Sequence, residues 1–193
     1  MQYPSLERFL RVAKPALSKG PVAMVFCEDE VEIDTTLRHH MQSGFATVLA
    51  FMPEHFALAP DVAEQVHCIP FAPAEDRAVP RVVNAVIAAA PGVWMFYCYN
   101  AEYLFFPFCE TRVVGEMLAF HAEERRDAML TYVVDLYAEN LDLCPDAVSL
   151  DAAYIDRSGY YALARNDPGN HNHPKQRQLD FFGGLRWRYD EHV

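Results

Sequence analysis

Apolar residues along this chain recur at two alternating spacings. Residues 5–13, SLERFLRVA, place Leu6, Phe9, Leu10 and Ala13 on one helical face with Ser5 as an N-cap, and Arg8, Arg11 and Lys14 on the other side. PVAMVFCEDE then runs apolar from Val22 to Phe26 and ends in acids, the pattern of a buried strand. VEIDTTLRHHMQSG returns to helical spacing, with Ile33, Leu37 and Met41 in register and Gly44 as the stop. FATVLAF reads as a second strand, residues 61–66 as a short helix and VHCIPF as a third strand. RVVNAVIAAA reads as a helix ended by Pro91-Gly92, and VWMFYCYNAEYLFF as the fourth strand. TRVVGEMLAFHAEERRDA follows as a long amphipathic helix, and MLTYVVDLYAEN as a further strand.

Regular alternation of buried strands and helices predicts an α/β fold, Rossmann-like, with a mostly parallel open sheet and helices on both faces. Ligands of such sheets bind beyond the carboxyl ends of the strands. That places Cys27–Glu30, Phe51–His55, Asn100–Glu102 and Asp135–Asn140 along one rim. Glu102 interrupts the most aromatic strand, where an unpartnered carboxylate is costly to bury, and the rim gives it water or a ligand instead. Past residue 140 the pattern loosens into DLCPDAVSLDAAYIDRSGYY, the polar NDPGNHNHPKQRQ and a final LDFFGGLRWRYDEHV. One domain over 1–193 is expected: a helix within 1–20, an α/β core over 21–140, and loops over 141–193 that stop before the fold's usual C-terminal part.

Composition narrows the partners. A formal charge of -11 argues against nucleic acid, because phosphate binding needs a dense basic surface, and against an anionic membrane surface. Five cysteines without a C-x-x-C pair read as reduced thiols in apolar surroundings. The start of the chain lacks the apolar stretch of a signal peptide, and no run is long enough to span a membrane. A cytoplasmic protein without a transmembrane segment is expected.

Common chemical fingerprints are missing: no G-x-G-x-x-G follows the first strand, and there is no P-loop and no G-x-S-x-G. His171-x-His173 would need Asp167 or Asp180 to complete a metal site, and a solvated loop explains it better. His39 and His40 project about 100° apart on a helix, so one packs and the other is solvated. Glu28, Asp29 and Glu30 suit the first turn of the following helix. Glu123, Glu124, Arg125 and Arg126 suit a solvated helix face. Arg186 and Arg188, flanking Trp187 after Gly183-Gly184, suit either a diphosphate-like anion or a stack on aromatic surface.

Taken together, CEDEVEIDTTLRHHMQSGF and WMFYCYNAEYLFFP resemble the family-2-like glycosyltransferases of the GT-A fold. Those begin with a strand and an N-E pair, then a helix ending in a segment like F-L-R-H-H-L-x-x-G-[VF]. Glu28-Asp29 occupy the N-E place, Leu37-Arg38-His39-His40 match directly, and Gly44-Phe45 follow. Trp94 and Glu102-Tyr103-Leu104 fit the frame W-x-x-x-x-D-x-D-E-F-L, but Tyr99 and Ala101 stand at its two aspartates. GGLRWR resembles a late G-G-x-R-x-R segment. Ala50–His55 replaces a D-N-x-S-x-D segment.

The resemblance implies a nucleotide-sugar donor, a saccharide or other hydroxyl acceptor, and a cation such as Mn²⁺ or Mg²⁺ that neutralises the diphosphate leaving group. It implies donor binding by Glu28, Asp29, Asn100, Glu102, Gly183, Gly184, Arg186 and Arg188. Glu102 is the remaining metal-ligand candidate, with Arg186 and Arg188 as substitutes for the cation. Asp135 or Asp190 would be the carboxylate base that helps the acceptor hydroxyl attack the anomeric carbon. The alternatives are a non-catalytic GT-A-like binding or interaction domain, and an unrelated α/β protein whose matches are core patterning.

Overall fold

The computed structural model describes residues 1–129, 131, 133–155 and 166–174. Two compact units divide the chain, Met1–Asp127 and Ala128–Val193, and each is described by itself.

In the first unit, α1 (Leu6–Val12) starts at the expected cap, where Arg8 N–H donates to Ser5 Oγ at 3.2 Å. A short α2 (Lys14–Leu17) follows, then β1 (Val22–Phe26), α3 (Ile33–Gln42) and β2 (Thr47–Met52). The chain continues through α4 (Pro60–Ala63), β3 (His67–Pro70), α5 (Ala78–Ala89), β4 (Met95–Tyr99) and α6 (Val114–Glu123). The four strands form one parallel sheet in the order β3-β2-β1-β4. Parallel strands need crossover helices, and those helices cover both faces, so every residue of β1 and β2 is buried.

The pleat sorts side chains to two cores. Val22, Met24, Phe26, Leu49, Phe51 and Ile69 pack with Phe9, Leu17, Val82 and Val86 from α1, α2 and α5. Ala23, Val25, Val48, Ala50, Cys68 and Cys98 pack on the other face with Leu37, Val62, Val114 and Leu118 from α3, α4 and α6. Gly44 ends the α3 turn with φ +91°, and an added Cβ would lie 2.7 Å from Val113 Cβ, so both conformation and space demand glycine there. At the β3 edge Met1–Tyr3 extends the sheet: Cys68 N–H donates to Met1 O and Tyr3 N–H to Cys68 O. All five cysteines are free; Cys27, Cys68 and Cys98 are buried, Cys109 and Cys144 half-buried.

Three sequence expectations are corrected. The fourth strand stops at Tyr99, because Asn100 and Ala101 turn the chain, Ala101 with φ 59°. The long helix after it covers only Val114–Glu123, with Arg125 at φ 56° beyond its end. The run MLTYVVDLYAEN is not a further parallel strand. Among its described residues only Leu136–Ala138 is a strand, β5, which pairs antiparallel with β6 (Ala153–Ile155) in a two-stranded sheet of the second unit. Apolar, β-branched patterning marks a segment as strand-like without naming its partner. The unit also holds a second small antiparallel pair, β7 (Asn166–Asp167) with β8 (His173–Pro174). Among the described residues no helix is long and apolar enough to cross a membrane.

Candidate functional site

The strand order fixes where the switch point of the sheet lies, the place at which open α/β sheets take ligands. From β1 the chain crosses to β2 and β3 on one side, then returns to place β4 on the other. Beyond the carboxyl ends of β1 and β4 the following segments diverge, which is the topological switch point of an open α/β sheet. The loop of residues 27–32 forms one lip and the turn of residues 99–102 the other.

Asn100 joins the lips. Its backbone N–H donates to Phe26 O at 3.1 Å, continuing the β1–β4 ladder by one step. Its side-chain Oδ1 accepts from Glu28 N–H at 2.9 Å, while Nδ2 donates to Val31 O at 2.9 Å and to Asp29 Oδ1 at 2.5 Å. Asp29 Oδ1 also accepts from Val31 N–H at 2.9 Å, an Asx-type turn within the loop. Glu102 turns back on its own strand: its Oε2 accepts from Tyr99 N–H at 2.8 Å, and its N–H donates to Tyr99 O at 3.3 Å. Glu28, Asp29 and Glu30 are exposed, whereas Asn100 and Glu102 are half-buried.

Helix α3 supports the crevice from beneath. Glu32, at φ 51°, precedes its first turn, so Glu28–Glu30 lie in the loop ahead of the helix and not in its first turn as expected. Thr36 is fully buried; its hydroxyl donates to Glu32 O at 2.6 Å and accepts from Ala101 N–H at 2.9 Å. Thr35 Oγ1 donates to Glu32 Oε2 and accepts from Tyr103 OH at 2.8 Å. One histidine packs as expected, but the other is not solvated: His39 also lies against the Tyr103 and Phe105 rings. His40 is fully buried between the Phe45 and Phe96 rings, its Nδ1–H donating to Thr36 O at 2.8 Å and its Nε2 facing Cys98 Sγ at 3.6 Å. His39 is half-buried and its Nε2–H donates to Leu104 O at 2.8 Å. Arg38 grips Asp61 through both carboxylate oxygens.

Burial dominates the electrostatics under the crevice. It pushes the His40 imidazole down to about 4, opposed by the hydrogen bond to the Thr36 carbonyl and reinforced by His39. Burial pushes the Cys27 thiol up to about 12, with Cys68 and Asp29 adding to it. Both groups are therefore neutral near pH 7 and serve packing. The lips contain no Lys or Arg at residues 27–32 or 99–103, so their side-chain oxygens suit hydroxyl or N–H donors, and an anionic group would need cations from elsewhere.

Of the residues singled out from sequence, Glu28, Asp29, Asn100 and Glu102 come together at this crevice. Asp135 lies half-buried in the second unit, just ahead of β5, so the expectation that Asp135–Asn140 continues the parallel rim does not hold. Gly183, Gly184, Arg186, Arg188 and Asp190 lie outside the described residues. Thr35 and Thr36 are not singled out from the sequence, and Tyr103 only as part of the Glu102-Tyr103-Leu104 frame; adjacent hydroxyls in the first turn of a helix at the rim were the available signal.

The cation implied by the resemblance does not fit the described donors. Tyr99 lies on the α1/α2/α5 face with its ring 6.3 Å from Phe26, Ala101 has no side-chain donor, and one oxygen of Glu102 holds a backbone N–H. Among the described residues no three His, Cys, Asp or Glu side chains gather in a way that could hold a metal ion. Comparison with known proteins adds nothing further: no family model, no curated protein and no solved structure matches the chain.

Proposed function

We propose that this chain is a glycosyltransferase-like protein that binds a nucleotide sugar at the β1–β4 crevice and passes the sugar to a hydroxyl acceptor. The observation that carries the reading is the meeting of its two most telling segments, residues 27–45 and 94–104, across the switch point of a parallel sheet. Acceptor oxygens on the lips suit the hydroxyls and N–H groups of a nucleoside or sugar. A diphosphate also needs cations, which the lips lack; Arg186 and Arg188 are the candidates the sequence offers for that charge and Asp190 for the base, all three outside the described residues.

A second reading, a non-catalytic GT-A-like binding domain, is favoured by one observation: Asn100 and Glu102 both spend polar atoms on the backbone. A thermal-shift screen with UDP-, GDP- and CDP-sugars tests the donor site, because a ligand of the folded state raises its melting temperature. A rise with one nucleotide, lost in Arg186→Ala, supports donor binding. No rise with any of them at millimolar concentration overturns it. Release of free nucleoside diphosphate as the sugar passes to an acceptor hydroxyl or to water, lost in Asp190→Asn, separates the enzyme from the binding domain.

A further inference from the structure

We propose that Asn100 and Glu102 are positioning residues: Asn100 clasps the turn after β4 to the loop after β1 and Glu102 closes that turn on itself, so the crevice takes its shape from side-chain hydrogen bonds and not from a divalent cation. This rests on reading the crevice as a nucleotide-sugar site.

The orientation of the Asn100 amide is dictated by its partners. Glu28 N–H can only donate, so it must meet the amide oxygen; Val31 O can only accept, so it must meet the amide nitrogen. Asp29 Oδ1 takes the remaining amide hydrogen. Both amide hydrogens and the oxygen are thus engaged across a sequence gap of about seventy residues. No carboxylate of the same shape can replace this group, because it would set a second acceptor against Val31 O and Asp29.

Glu102 secures the other half. Ala101 sits in the left-handed region at φ 59°, a conformation that a residue with a Cβ holds only when its surroundings over-determine it. The surroundings do so here. Tyr99 N–H is held by Glu102 Oε2, Asn100 N–H by Phe26 O, Ala101 N–H by Thr36 Oγ1 and Glu102 N–H by Tyr99 O. A cation held through Glu102 Oε2 would compete with the Tyr99 N–H for that oxygen and loosen the turn. An amide would not, since its oxygen accepts the same hydrogen bond.

The experiment uses the full chain with Asn100→Asp, Asn100→Ala, Glu102→Gln and Glu102→Ala. Mn²⁺ uptake is followed by the electron paramagnetic resonance of the free ion, and backbone hydrogen exchange is followed over residues 28–32 and 99–102. No saturable Mn²⁺ uptake is expected at millimolar concentration. Glu102→Gln should exchange like the native chain over residues 99–102, while Glu102→Ala exchanges faster. Asn100→Asp should raise exchange over residues 28–32 by about tenfold or more, the loss of the two hydrogen bonds that Nδ2 donates. It should also weaken the nucleotide-induced thermal shift, and both changes should recede as acid protonates the new carboxyl. If Asn100→Asp fails to fold, Asn100→Ala must show the same faster exchange. Saturable Mn²⁺ uptake that Glu102→Gln abolishes would overturn the proposal. So would native-like exchange in both Asn100 variants, or equal loosening in Glu102→Gln and Glu102→Ala. If no nucleotide shifts the native chain, the donor-site reading fails, while Mn²⁺ uptake and exchange still judge the clasp.

Discussion

The two faces of the parallel sheet solve burial differently. Under α1, α2 and α5 the core is dry and aromatic: Phe26 stacks on Phe51 at 4.9 Å, Phe71 meets both edge-on, and Phe9 and Leu17 are fully buried. Its buried polar side chains stand toward the amino end, where Thr47 donates to Ala16 O and His67 meets Tyr3 OH. Under α3, α4 and α6 two polar side chains, Thr36 and His40, are fully buried, each bonded to backbone. Thr36 leads directly to Ala101 in the crevice wall. One face therefore keeps its hydrogen-bonded polar side chains to one end, while the other has two of them fully buried and one of these, Thr36, holds the turn after β4.

Four perturbations separate these faces, in order of expected size. Phe51→Ala on the dry face should cost about 3–5 kcal/mol, because it empties an aromatic stack that cannot collapse; urea unfolding measures it. On the polar face, acid should act through His40. Its pKa is about 4 folded against 6.5 unfolded, so the unfolded chain binds the extra proton between these values. Stability is unaffected by this group above pH 6.5 and falls by about 3 kcal/mol as pH drops to 4. His40→Phe should remove that part of the pH dependence, read as the difference between the two unfolding curves. Gly44→Ala forces a Cβ against Val113 at φ +91° and should cost about 1–3 kcal/mol by the same assay. Ala101→Gly should stabilise by about 0.5 kcal/mol, since glycine is unstrained at φ 59° but loses more entropy on folding; a melting curve reads the sign.

Much of the first unit was legible in the sequence because its strands are uninterrupted apolar runs punctuated by Gly, Pro and acids. The placement of residues 27–30 and 100–102 at the carboxyl ends followed from the alternation alone. The packing of His40 also followed, from the 100° step of a helix, but His39 is packed and hydrogen-bonded too, not solvated. The end of the fourth strand was not legible, because YNAEYLFF keeps its apolar character while the backbone turns at Asn100 and Ala101. Nor was the pairing of Leu136–Ala138, whose partner Ala153–Ile155 follows in a stretch that reads as loop. The contacts of Asn100 and Thr36 join residues 65–72 positions apart, and no local pattern announces such bonds. The strand ends that form the candidate site were thus readable from the sequence, and the hydrogen bonds across them were not.

The cysteines give the chain a built-in clock. Cys27, Cys68 and Cys98 all lie on the polar face, shut away from solvent, and burial holds the Cys27 thiol protonated far above neutrality. Alkylating reagents attack only thiolate that has reached water. Cys109 and Cys144 should therefore react promptly, one in each unit, while the other three wait for the sheet to open. Mass spectrometry of a timed alkylation would then follow the opening of the first unit without any introduced label.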